Sequence, residues 1–433
     1  MSEQETIFAL ATGLGTAGIA VVRLSGPASW ATIERLTGKQ LPEPRRLSRR
    51  LLYCHDGTAL DDAMIVLFRA GASFTGQEAA EVHCHGSRAV INALLDELGQ
   101  MNDCREAEPG EFTRRAFEAA FIDLNQVEGL GDLIHAETEY QRRQALRIMS
   151  GAASDQIAIW RAKLIRARAL IEVTIDWADE EVPEDVSPEF MELLSEISAE
   201  MEKEATGFAR TERLREGFEV AIIGAPNVGK STLINAIAGR EVAITSEIAG
   251  TTRDVIETRC DLDGLPVTFL DTAGLRISSD TIEKAGVEIA RKRARSADLR
   301  LFLESSGGAN SQHDLIEDGD ISVWSKSDLS PGPGDIQISA TSGHGIPELL
   351  SLVRSRLMDR IDQLSVFGHR RQHGAVLRSL SSIQRALAEA PVVDAEVLAE
   401  HLRIALVEID SLTGRNGVED VLGEVFSSFC LGK

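Results

Sequence analysis

The sequence predicts a multidomain protein of α+β and α/β parts. An α+β domain comes first, and an α/β nucleotide-binding domain is inserted into the all-α domain that follows it. Three observations predict this. A Gly-rich phosphate-loop pattern, "GAPNVGKS" from Gly224 to Ser231, sits near the middle of the chain. Helical periodicity frames it on both sides. Before about residue 118 the texture is different, mixed and Gly-punctuated.

In chain order, "TIFALAT" and "GIAVVRLSG" read as strands, and "RAVINALLDELGQM" as a helix between turn signals. From about residue 119 the texture turns helical. In "SPEFMELLSEISAEMEKEA", Ser187 is placed as N-cap with Pro188 at the first helical position. Phe190, Leu193, Leu194, Ile197 and Met201 then share one face. "FEVAII" is an apolar strand, and "STLINAIAG" has helical spacing. "SSGGANSQHD" and "SPGPGD" read as surface loops. After about residue 365 helices return, with Leu377, Leu380, Ile383 and Leu387 as the apolar stripe. The expected domains are therefore 1–118 (N-terminal), 119–215 and 365–433 (helical) and 216–364 (nucleotide-binding).

A chain of 433 residues is too long for one typical core. Its start lacks the basic and apolar regions of a signal peptide, and no run approaches a membrane span. Five cysteines do not make a disulfide framework in a chain this long, which points to a reducing cytoplasm and no membrane. The net charge of −23 argues against a protein that grips nucleic acid unaided. If RNA is involved, a partner does much of the holding.

A strand, a Gly-rich turn and a helix form a structural context for phosphate binding, because backbone N–H groups and the helix N-terminus surround the anion. Asn227, Val228, Gly229, Lys230, Ser231 and Thr232 line this loop, with Lys230 for the β- and γ-phosphates and Ser231 for Mg²⁺. The nucleotide is read downstream. Asp271-Thr272-Ala273-Gly274 follows the strand "PVTFL" and resembles the DxxG element of GTPases. Ser325-Lys326-Ser327-Asp328 follows "ISVW", where GTPases usually carry Asn-Lys-x-Asp; Asp328 would accept from guanine N1–H and the 2-amino group. Ser339-Ala340 matches the base-supporting element. The departure is Ser325, shorter than asparagine but still able to hydrogen-bond.

"SEIAGTTRD" supplies Ser246, Glu247, Ile248, Ala249, Gly250, Thr251 and Thr252, and resembles the switch I of a group of bacterial GTPases, with Thr252 as a Mg²⁺ ligand. Leu275 stands where Ras-like enzymes place a water-orienting glutamine. The segment is similar to that of potassium-activated GTPases. By that resemblance Asn227, with Ser246, Ile248 and Thr251, holds K⁺ in the place of an arginine finger.

The resemblance runs the length of the chain. "TIFALATGLGTAGIAVVRLSG", "SFTGQEAAEVHCHGS", "PGEFTRRAFEAAFIDLNQVEGL", "IDWADEEVP" and the closing "FCLGK" resemble the MnmE (TrmE) family of bacterial tRNA-modification GTPases. That resemblance implies an N-terminal domain that dimerises and binds 5-formyltetrahydrofolate or a related one-carbon folate, and an inserted Ras-like P-loop GTPase domain. It implies a homodimer and a heterotetramer with the flavoprotein MnmG, which carries most of the tRNA binding. The pair adds a carboxymethylaminomethyl or aminomethyl group to C5 of the wobble uridine. By position, Arg23, Glu81 and the terminal Lys433 are folate contacts, Glu283 is the catalytic glutamate, and Cys430 is a residue of the modification reaction. Phe121 departs from a lysine common in the family. "HCH" (His83-Cys84-His85) puts its two histidines on one strand face with Cys84 pointing away. Two other classes stay open on the sequence: a ribosome-assembly GTPase, and a folate-dependent one-carbon transferase regulated by GTP.

Overall fold

The computed structural model describes residues 5–13, 15–176, 187–240, 242–244, 257–271, 292–306, 317, 319–359, 361, 364–414, 423, 425–426, 429 and 432. The chain divides into two compact units, Met1–Gly131 with Asp410–Lys433, and Asp132–Ile409.

The first unit is built on six strands: β1 (Thr6–Leu10), β2 (Ala17–Ser25), β3 (Ser48–Tyr53), β4 (Ala59–Phe68), β5 (Ala79–Gly86) and β6 (Cys104–Glu106). Their order is β3-β4-β5-β2-β1-β6, antiparallel except for the β1–β6 pair. Alternation makes the sheet one-sided. In β4, Ala63, Ile65 and Leu67 are buried while Met64, Val66 and Phe68 are only half-buried. Helices α1 (Ser29–Thr37) and α2 (Arg88–Gly99) supply Ile33, Leu36, Ile91, Leu94 and Leu98 to the same core. The Ser87 side chain caps α2 by accepting from the Val90 amide. Helices α3 (Glu111–Glu118) and α4 (Leu124–His135) follow, so the predicted α+β character holds.

The second unit combines helices and a second sheet. Helices α5 (Glu139–Met149), α6 (Ala152–Asp176) and α7 (Ser187–Glu216) precede strand β7 (Phe218–Gly224). The remaining elements run α8 (Lys230–Ala238), β8 (Glu257–Leu262), β9 (Leu265–Asp271), β10 (Leu299–Glu304), β11 (Ile321–Trp324), β12 (Ile336–Gln337) and α9 (Ile346–Met358). Then come α10 (Arg370–Glu389) and α11 (Ala395–Leu412). The sheet order is β12-β11-β10-β7-β9-β8, parallel except for the β8–β9 hairpin. Central β7 is buried along Val220–Ile223, as a parallel strand covered on both faces must be.

Phe190, Leu194, Ile197 and Met201 of α7 are buried, as the periodicity predicts, and Leu193 is half-buried. The helix begins at Ser187, the predicted cap, one position earlier than the predicted first helical residue, Pro188. Trp160 of α6 is fully buried, stacked on Phe367 at 5.6 Å between centroids, and its indole N–H donates to Glu200 at 2.9 Å. On α10 the predicted stripe is rotated. Leu380 and Ile383 are buried with Val376 and Ala386, whereas Leu377 is 43% exposed. The reason is geometric: each three-residue step falls about 60° short of a full turn, so a run of such steps drifts off the buried face.

The α/β elements leave the helices where α7 ends and Gly217 turns at φ +95° into β7. They return at Ser365, whose hydroxyl donates to Glu204 at 2.6 Å and whose carbonyl accepts from Gln144 at 2.7 Å. Among the described residues no helix is long and apolar enough to cross a membrane.

Candidate functional site

The loops of interest leave the C-terminal ends of β7, β9, β11 and β12, the edge where open parallel sheets bind ligands. Between β7 and α8 the backbone takes two left-handed turns, Asn227 at φ +63° and Gly229 at φ +115°. Gly229 has a second reason to lack a side chain, since a Cβ there would lie 3.1 Å from the Ser325 hydroxyl. The loop ends on the first turn of α8, whose leading amides have no partner within the helix. Lys230 sits in that turn, 9% exposed, and its ammonium donates to the Gly224 and Ala225 carbonyls at 2.7 and 3.1 Å. The next residue, Ser231, donates its hydroxyl to Asp271 Oδ2 at 2.9 Å. A hydroxyl and a carboxylate meeting at a helix N-terminus are hard oxygen donors of the kind Mg²⁺ takes beside a phosphate. These residues fit that ion. Val228 is buried, and Thr232 is exposed.

The β11 loop closes against the phosphate loop from the other side. The Ser325 hydroxyl donates to the Val228 carbonyl, and the Lys326 ammonium to the Asn227 carbonyl at 2.7 Å. Ser325 is 5% exposed, so this bond is a buried clamp between two loops rather than a surface contact. On the sequence Ser325 is shorter than asparagine but still able to hydrogen-bond, and its partner, the Val228 carbonyl, is not foreseen. The one signal for it is that the position keeps a hydroxyl. Asp328 is exposed on the turn that follows. Ser339, buried at the end of β12, donates its amide to His344 at 3.0 Å, with Ala340 half-buried beside it. Asn227, Val228, Gly229, Lys230, Ser231, Asp271, Ser325 and Lys326 are thus gathered on one edge of the sheet. Ser246, Glu247, Ile248, Ala249, Gly250, Thr251, Thr252, Thr272, Ala273, Gly274, Leu275, Glu283, Cys430 and Lys433 lie outside the described residues.

A second candidate site lies in the N-terminal unit. Arg23 and Glu81 are opposite each other on β2 and β5, and the guanidinium donates twice to Glu81 Oε1, at 3.1 and 3.0 Å. The guanidinium carbon lies 5.9 Å from the Phe112 ring centroid, and a third nitrogen reaches the Gly432 carbonyl at 3.5 Å. Gly432 has φ +91°, and a Cβ there would collide with the Leu10 carbonyl, so the glycine lets the chain end lie against β1. His83 Nε2 is 3.4 Å from Glu81 Oε2. The Arg23 and Glu81 side chains keep 26% and 20% of their surface exposed, whereas the Phe112 ring is fully buried, so the ion pair and not the ring is presented to solvent. The Phe121 ring lies over Gly76, half exposed, and adds no charge.

His83 and His85 do share a face, His85 pairing with Asp61 at 2.7 Å, while Cys84 is buried on the other. Burial pushes the Cys84 and Cys104 thiols up, and Cys260 up to about 12, so none of the three is a thiolate near neutral pH. Glu111, beneath the same sheet, would be raised by burial. Arg105, the Glu108 amide and Arg115 outweigh that and hold its carboxyl below the usual range.

Comparison with known proteins agrees with this layout. The family described as the MnmE helical domain matches residues 124–430, and that described as GTP-binding protein TrmE N-terminus matches residues 6–120. A tRNA modification GTPase MnmE from Roseobacter denitrificans is 51% identical over 434 residues, covering 99% of this chain and all of the relative. The protein of that name from Cereibacter sphaeroides is 51% identical over 431 residues, with 99% and 100% coverage. Among solved structures, Aquifex aeolicus Era bound to GDP·AlF4⁻ is 27% identical over 38% of this chain and 66% of its own, at a TM-score of 0.27. The FeoB G-domain of Methanococcus jannaschii is 23% identical over 33% of this chain and 99% of its own, at a TM-score of 0.26. Neither score adds to the fold described above.

Proposed function

The chain belongs to the MnmE family of tRNA modification GTPases, and from that premise we propose that it hydrolyses GTP at the Gly224–Ser231 loop to drive modification of the wobble uridine of certain tRNAs. One observation carries the reading: the Lys230 ammonium, the Ser231–Asp271 pair and the Ser325–Val228 clamp converge on one sheet edge. Lys230 exchanges its two loop carbonyls for the β- and γ-phosphates. Ser231, whose hydroxyl now donates to Asp271, and Thr252 would hold Mg²⁺, which would neutralise phosphate charge when bound. Asp328 accepts from guanine, and Ser339 and Ala340 support the base. Leu275 cannot orient water, so Glu283 takes that role.

Asn227, with Ser246, Ile248 and Thr251, holds K⁺, which supplies positive charge where other GTPases use an arginine. The Asn227 backbone fits this role in one respect. Its positive φ and the Lys326 bond to its carbonyl fix the loop and leave the residue exposed. Replacement of Asn227 by alanine is expected to abolish the stimulation of GTP hydrolysis by K⁺ over Na⁺ and leave GDP affinity within about twofold. Phosphate-release rates in the two salts check this. Equal wild-type rates in K⁺ and Na⁺ would remove the K⁺ site.

The N-terminal unit binds a one-carbon folate at Arg23, Glu81 and Lys433, and two chains associate through it. With the flavoprotein MnmG, in a heterotetramer, the chain adds a carboxymethylaminomethyl or aminomethyl group to uridine C5, with Cys430 required. GTP hydrolysis is coupled to pairing of the two GTPase domains, residues 216–364. The partner holds most of the tRNA, which the net charge of −23 supports, and the complex works in the cytoplasm. Mass spectrometry of tRNA nucleosides with and without the gene tests the whole reading. Loss of the aminomethyl-type wobble uridines is expected, and an unchanged profile refutes it.

A further inference from the structure

The turn that carries Asp328 is held at its near end by the Ser325 hydroxyl and at its far end by an aromatic side chain. The near end is well anchored: the Ser325 amide donates to Glu304 at 2.8 Å and the Ser327 amide to Ile338 at 3.0 Å. Between these anchors Lys326 takes φ +57°, a left-handed conformation that costs a lysine energy and persists because its surroundings impose it. The Leu329 and Ser330 amides, at 3.0 and 3.3 Å from the Lys326 carbonyl, close the turn over Asp328. The Ser330 carbonyl then accepts the indole N–H of Trp324 at 2.7 Å. Trp324 is the last residue of β11, directly before Ser325, so its side chain reaches across the base of the turn that its own strand begins.

The indole is itself fixed. The "SPGPGD" loop folds back over it so closely that any Cβ on Gly332 would penetrate the ring. The Gly332 carbonyl accepts from the Gln337 side chain at 2.8 Å. Asp335 ties the loop to β11 through the Ser322 amide and hydroxyl at 2.7 and 2.9 Å. The chain of support runs from β12 through Gly332 to the Trp324 ring, and from the indole N–H to Ser330.

We propose that Trp324 is a positioning residue for guanine selection, acting through the Ser330 carbonyl on the Asp328 turn; this rests on the reading of Asp328 as the guanine acceptor. The physical case is one of preorganisation. A carboxylate that must accept two bonds from one base edge at once is sensitive to small rotations of its turn. The Ser325 hydroxyl and the backbone bonds beside it fix the near end, so the indole N–H is what fixes the far end and with it the orientation of the carboxylate. Loss of the indole N–H frees the turn, and the two-bond contact decays toward one bond.

The test is Trp324→Phe in the full-length protein, which keeps an aromatic side chain at the position and removes the indole N–H together with the outer part of the ring system. GTP, and ITP as the analogue lacking the 2-amino group, are compared by steady-state hydrolysis and by competition for GDP. The expected result is a rise of roughly three- to tenfold in KM for GTP, with a smaller rise for ITP. The GTP/ITP preference therefore narrows, and the loss falls on KM rather than kcat. Gly332→Ala, which displaces the indole from the loop side, is expected to narrow the ratio in the same direction. It serves as the second probe if the phenylalanine variant folds poorly. An unchanged KM for GTP, or equal losses for GTP and ITP, overturns the proposal. Failure of the guanine reading itself is distinguishable, because it shows in Asp328→Asn as an absent shift toward XTP.

Discussion

Replacing Lys230 with alanine lowers kcat/KM for GTP by about two to three orders of magnitude, with little change in the melting temperature of the protein. The magnitude follows from what a preorganised cation contributes when aimed at developing phosphate charge in a partly enclosed site, about 3–4 kcal/mol. The preorganisation is visible. The ammonium is already in the loop, 2.7 Å from the Gly224 carbonyl and 3.1 Å from that of Ala225, and only 9% of the residue is exposed. No long side chain has to be brought in from solvent when the nucleotide arrives. The small effect on stability follows from the same geometry, since these carbonyls belong to an open loop and can be solvated once the lysine is gone. Arginine is not expected to rescue activity, because a planar guanidinium does not fit where a compact ammonium bridges two carbonyls. Phosphate release at saturating and limiting GTP gives the answer. A variant within tenfold of wild type would mean that the phosphates bind elsewhere.

How legible this was differs between the two candidate sites. The phosphate loop could be read because its parts are local: an apolar strand, glycine at a left-handed turn and a helix opening on Lys-Ser leave their mark within a short window. The same holds for the strands that end at Asp271 and Trp324, both recognisable as apolar runs. The Ser325–Val228 clamp was not legible, because its two ends are 97 positions apart and nothing in either segment names the other. The bond from Arg23 to Gly432, across 409 positions, lies further beyond any periodicity argument, and the family resemblance itself points only to the neighbouring Lys433. The α10 stripe shows a different limit. Leu377 has the right hydrophobicity and nearly the right spacing, yet buried alanine and serine residues, Ala375, Ser379, Ser382 and Ala386, complete the buried face, where the Ser379 hydroxyl donates to the Ala405 carbonyl of α11 at 3.2 Å. A reading keyed to leucine and isoleucine misses small residues that let helices approach.

Substitution of Asp328 by asparagine turns the nucleotide preference from GTP toward XTP, with a swing in the ratio of kcat/KM values of roughly a thousandfold. Asparagine keeps one acceptor oxygen but places an amide donor where guanine presents its 2-amino group. Xanthine carries an oxygen there and restores the match. Each mismatched donor or acceptor under a bound base costs about 1–3 kcal/mol, and the substitution penalises one nucleotide while relieving the other. Asp328 suits the experiment because its side chain is exposed and the change is isosteric, so the loop does not need to rearrange. Ser325→Ala would be a poorer probe. It breaks the buried tie to the Val228 carbonyl and disturbs the phosphate loop together with the base loop, leaving affinity and selectivity confounded. Competition between GTP and XTP for hydrolysis reads the swing directly. If the ratio stays put while both nucleotides weaken, Asp328 shapes the turn but does not read the base. Selection must then come from backbone groups near Ser339 and Ala340, which hold the adjoining edge of the same sheet.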